Sequence, residues 1–98
     1  MGYTRTEEMN KLFETILKLE NIEECYSFFE DICTIKEMQD MAQRLAVAVL
    51  LDKGENYQKI SQEVSVSTAT ISRVSKCLEY GGGGYAMIID RVSENKEN

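Results

Sequence analysis

The sequence has no proline and no histidine. Without histidine, His-based zinc sites and His-dependent acid–base chemistry are excluded, and no metal site is expected. Without proline, helix limits must be read from caps, glycines and apolar spacing. Cysteines are few. Cys25, Cys33 and Cys77 form an odd set with no CxxC spacing, which points to a reduced, cytoplasmic setting. No apolar run approaches the ~18 residues needed to cross a membrane, and the N-terminus shows no signal-peptide core. Neither a paired-carboxylate motif nor a nucleophile beside a base is present, so an enzyme is a poor reading. A basic surplus is also missing: the net charge of −6 argues at first sight against nucleic acid. The distribution weakens that objection. Residues 1–52 carry eleven carboxylates against five cations, whereas residues 53–80 carry Lys53, Lys59, Arg73 and Lys76 against Glu55, Glu63 and Glu79.

What is present reads as helices. The chain has 98 residues, enough for one small domain, and 43% of them are hydrophobic, as in folded globular proteins. Met9, Leu12, Phe13, Ile16 and Leu17 follow helical spacing, so a first amphipathic helix is predicted over 6–19. Asn21 and Glu24 resemble a capping box for a second helix over 22–32, with Ile22, Cys25, Tyr26, Phe29 and Ile32 inward. Phe28 lies off that stripe, as a surface aromatic or a contact with another subunit. Thr34 and Glu37 form a second capping box, and a third helix is predicted over 35–53 with Gly54 just past its end. From Leu45 to Leu51 every residue is apolar. A helix that is apolar all round must be covered all round. A second copy of the chain would do this most simply; the alternative is cover by later helices of the same chain. Gly81–Gly84 ends any helix at Tyr80 and makes a hinge, but lacks the Lys-Ser/Thr of a phosphate loop. Tyr85, Ile88, Ile89 and Val92 predict a last helix over 85–93, followed by a solvated tail. The expected organisation is one domain: a helical dimerisation core over 6–54, a reading head over 55–80, the hinge at 81–84 and the last helix.

Residues 55–80, ENYQKISQEVSVSTATISRVSKCLEY, carry the most information. Ile60 and Val64 anchor a short helix, Ser65-Val66-Ser67 form a tight turn, and Ile71, Val74 and Leu78 line the inner side of a second helix. Ser61 takes the small position of a helix-turn-helix, Ser65 stands where the turn calls for φ > 0, and Ser67 can cap the second helix. Short hydroxyl side chains crowd the start of that second helix. Bulkier ones would hold its backbone off the base edges of a major groove.

From Thr34 to about Val92 the chain resembles the Trp repressor superfamily, in particular its YerC/YecD-type branch. The resemblance rests on Arg44, the Leu-rich third helix ending at Gly54, and Ala69-Thr70-Ile71-Ser72-Arg73; residues 1–33 match only as helices. It implies an all-α, six-helix fold in an intertwined homodimer, with two helix-turn-helix heads set for successive major grooves. It further implies an effector pocket. The family's arginines fall on Arg44 and Arg73, its threonine on Thr34 and its serine on Cys77, while a family glycine is Val74 here. A branched side chain and a thiol disfavour tryptophan in that pocket, so no cofactor is assigned and a small-molecule corepressor stays an open reading. Arg44 paired with Asp40, and Arg73 on a phosphate, are the alternatives. Cys77 is either packed or a redox switch.

These readings predict a DNA-binding transcriptional regulator, a repressor, on double-stranded DNA with a near-palindromic operator. Thr68, Ala69, Thr70 and Ser72 are the candidate base contacts, directly or through water, and Gln58, Lys59 and Lys76 the candidate phosphate contacts. The competing reading is a protein-interaction module that kept the fold and lost DNA binding.

Overall fold

The computed structural model describes residues 3–97, with side chains through Ser93. Among the described residues there are six helices and no strand. The chain divides into two compact units, Met1–Ile35 and Lys36–Asn98.

The first unit holds α1 (Glu7–Ile16) and α2 (Ile22–Ile32). Thr6 caps α1 by accepting from the Met9 N–H at 3.1 Å, and Glu7 and Glu8 in the first turn suit the helix dipole. The helix ends at Ile16, earlier than the spacing predicts. Lys18 and Leu19 donate to Thr15 and Ile16, so the last apolar residue of the stripe, Leu17, lies in a tighter turn. The cap at α2 forms as expected, Asn21 Oδ1 accepting from the Glu24 N–H at 2.9 Å, while the return bond shifts by one residue: Glu24 Oε1 accepts from the Glu20 N–H at 2.9 Å instead of from Asn21. The faces expected to be inward are largely exposed. Leu12 and Ile16 are half-buried, but Leu17 is 82% and Ile22 72% exposed, and Phe13, Cys25, Tyr26 and Ile32 are exposed too. Two short helices have too little surface to bury both apolar stripes against each other. Phe28 is half-buried, edge-on to Phe29 with ring centroids 5.6 Å apart.

The second unit is built on α3 (Ile35–Asp52), with α4 (Tyr57–Val64), α5 (Thr68–Tyr80) and α6 (Gly84–Glu97) following. Val47 and Ala48 of α3 are buried with Ile60 of α4, Ile71 and Val74 of α5, and Ile89 of α6. Val49, Leu50, Leu51, Val64, Val66, Leu78 and Tyr85 pack around them. The apolar run on α3 is therefore only partly covered by its own chain, since Leu45 remains 46% exposed. Gly54 closes α3 at φ +86°, a left-handed position that favours glycine. The helix α5 stops at Tyr80 as the glycines predict. At Gly81 a Cβ would lie 2.5 Å from the Cys77 carbonyl oxygen, so only glycine fits there. The hinge is shorter and the last helix longer than predicted: α6 starts at Gly84 and continues through 94–97, the segment expected to be a solvated tail. The sequence spacing tracked apolar residues, which stop at Val92, whereas Glu and Lys continue a helix without them.

Candidate nucleic-acid interface

Asn56 begins the reading head by capping α4, its Oδ1 accepting from the Lys59 N–H at 2.8 Å. The chain then reverses at Ser65, which adopts φ 60°, ψ 50° while its N–H donates to Ser61 O at 3.0 Å. Ser65 is the one non-glycine residue with positive φ among the described residues, as the turn position foretold. Ser61 Oγ donates to the Val66 carbonyl at 2.7 Å across the turn. Ser67 caps α5, its Oγ accepting from the Thr70 N–H at 3.3 Å. This is a helix-turn-helix, with α5 held by Ile71 and Val74 on its buried side.

The opposite side of α5 carries the predicted contacts. Thr68, Ser72 and Lys76 recur every fourth residue and so lie along one face. Thr68, Ala69 and Lys76 are exposed; Thr70 and Ser72 are half-buried. Thr70 is thus less available than the sequence predicts, because its side chain turns toward the Ser67 hydroxyl, 3.3 Å away. Gln58 and Lys59 are exposed on the first turn of α4. Lys59 is already engaged, with Nζ 3.4 Å from Glu55 Oε1. Exposed ion pairs are weak and exchange readily, so this one leaves the ammonium available to a phosphate.

A cleft of about 250 Å³ opens beside α5, lined by Lys36, Asp40, Gln43 and Arg44 of α3 and by Thr70, Arg73 and Val74 of α5. Arg44, Arg73 and Val74 all line this cleft. Cys77 is a correction: it lines a separate groove with Leu45, Gly81–Gly84, Tyr85 and Ile88. It lies one turn further along α5 than Arg73 and Val74, on the same side of the helix, where Gly81–Gly84 and Tyr85 form the wall instead of α3's polar stripe. Thr34 is exposed and belongs to the first unit. Asp40 pairs with Lys36 at 3.2 Å rather than with Arg44. Lys36 and Gln43 were not foreseen as lining residues. Their signal was the spacing of 36, 40, 43 and 44, a polar stripe one helix face wide. Among the described residues no group of three or more His, Cys, Asp or Glu side chains could hold a metal ion. Among them, too, no helix is long and apolar enough to cross a membrane.

A helix-turn-helix on an all-helical frame with this cleft defines a class. The Trp repressor protein family matches residues 7–93, and the chain belongs to that family. The match takes in α1 and α2, which the sequence resemblance alone did not reach beyond their helicity. The chain is 53% identical over 92 residues to the uncharacterized protein YerC of Bacillus subtilis strain 168, covering 94% of this chain and 88% of YerC. Among solved structures it resembles a candidate Trp repressor from Staphylococcus aureus, with TM-score 0.88 and 49% identity over 91% of this chain and 89% of that one. It also resembles a TrpR-like protein from Eubacterium eligens ATCC 27750, with TM-score 0.89 and 42% identity over 91% and 92% of the two chains.

Proposed function

We propose that the protein is a homodimeric, sequence-specific repressor of transcription, acting in the cytoplasm and without enzymatic activity. Family and fold support a DNA-binding regulator. The observation that carries the finer reading is the face of exposed Thr68, Ala69 and Lys76 and half-buried Ser72 on a helix whose other side is locked by Ile71 and Val74. Small groups there let the backbone enter a major groove, where methyls and hydroxyls meet base edges or bridging water. Gln58, Lys59 and Lys76 would hold phosphates. A second copy of the chain accounts for the exposed Phe13, Leu17, Ile22, Tyr26 and Leu45. Two-fold symmetry then calls for a near-palindromic operator with half-sites ~10 base pairs apart.

The cleft at Arg44 and Arg73 supports an effector with an anionic group. Lys36, Arg44 and Arg73 set three cations against Asp40, and Val74 narrows the space an indole would need. Tryptophan is therefore not the expected corepressor.

Selection of bound duplexes from a random pool, with and without tryptophan, tests the proposal. A recovered inverted repeat whose affinity falls as salt rises supports it. No duplex retained even at low salt would replace it with the interaction-module reading, which the net charge of −6 favours.

A further inference from the structure

We infer that Ser61 is a positioning residue for the reading helix: its hydroxyl ties the carbonyl of Val66 to α4 and so sets the direction in which α5 leaves the turn. The inference rests on the DNA-binding reading above. Ser61 is half-buried, next to the fully buried Ile60 on α4, with its hydroxyl engaged within the turn. Its Oγ donates to Val66 O at 2.7 Å, a short bond that spans the turn. Val66 is the last residue before the cap Ser67, and its side chain packs against the buried core. The residue is thereby held from two sides, by the core through its side chain and by Ser61 through its carbonyl.

The turn needs such a tie. Ser65 reverses the chain in a left-handed conformation that a serine adopts reluctantly. Its own N–H is spent on Ser61 O at 3.0 Å, so Ser61 receives one bond from the turn through its backbone and gives one through its side chain. An alanine at 61 would pack equally well and would leave the half-buried Val66 carbonyl without this donor. Rotation about the Val66 backbone would then tilt α5, moving Thr68, Ser72 and Lys76 together relative to Gln58 on α4. Base readout tolerates only small errors of placement, whereas phosphate contact by flexible lysines tolerates larger ones.

The test compares Ser61→Ala, Ser61→Thr and the wild-type chain by duplex affinity and by residual dipolar couplings of the free proteins. For Ser61→Ala, affinity for the selected duplex should fall about five- to twenty-fold, the range lost with one hydrogen bond. Affinity for random duplex should change less than about two-fold, so the ratio between the two collapses. Ser61→Thr keeps the hydroxyl and should recover most of that ratio. A purely structural role would lower the melting temperature and leave the ratio of the folded protein unchanged. The couplings should report a changed angle between α4 and α5 in Ser61→Ala. An unchanged angle, or an unchanged ratio in a folded variant, overturns the inference. Absence of duplex binding by the wild-type chain would instead sink the DNA-binding reading, and the couplings alone would still decide whether Ser61 sets the helix direction.

Discussion

Ser65 holds a left-handed backbone that glycine would adopt without a Cβ clash. Ser65→Gly should therefore stabilise the fold by about 0.5–1 kcal/mol after allowing for the freer unfolded chain. A gain of that size raises the melting temperature by a few degrees in a domain this small, which a thermal scan reads directly. Gly81 is the reverse case. Gly81→Ala would push a methyl to 2.5 Å from the Cys77 carbonyl oxygen and should cost about 1–3 kcal/mol, visible as a lower denaturation midpoint. Both positions were legible as turn residues in the sequence. What could not be read was the partner of each: the Ser61 carbonyl for Ser65, and the Cys77 carbonyl for Gly81. Such partners depend on backbone directions, and side-chain chemistry alone does not give them.

At the level of elements, the two sides of α5 differ in what they hold up, one buried in the core and the other open to solvent. Ile71→Ala removes a fully buried side chain from the core of the second unit and should cost about 2–5 kcal/mol. Thr68→Ala changes an exposed position and should leave stability within about 0.5 kcal/mol. Chemical denaturation checks both, and under the proposed function Thr68→Ala should relax sequence preference in a duplex selection. The helix-turn-helix was the most legible part of the chain, because Ser61, Ser65 and Ser67 between its apolar anchors all fix local geometry; the Asn56 cap of α4 came only from the structure. The limits of α1 and α6 were less so. The first overran into Leu17, an apolar residue outside the helix, and the second stopped at the last apolar residue although the helix continues. The cleft was half legible. Arg44 and Arg73 stood out, but Lys36 and Gln43 belonged to a polar stripe that apolar counting passes over.

For the molecule as a whole, the exposed apolar side chains set the strongest expectation. Phe13 and Tyr26 are each 58% exposed in the single chain. With a second copy covering them, the melting temperature should rise with protein concentration. Phe13→Glu paired with Tyr26→Glu should shift sedimentation from a two-chain to a one-chain mass, since neither residue supports the core of the second unit. The sequence signalled this through the apolar run on the third helix. The structure locates the uncovered surface more widely, on α1 and α2 as well.

The near balance of charge over residues 53–80, four cations against three carboxylates, has a kinetic corollary under the proposed function. A head with so few cations displaces few counterions from any duplex it meets. Residence on arbitrary genomic sequence would then be brief, and search would proceed by repeated detachment through solution more than by travel along the double helix. Such a protein would be recovered from chromosomal DNA chiefly where the groove itself fits.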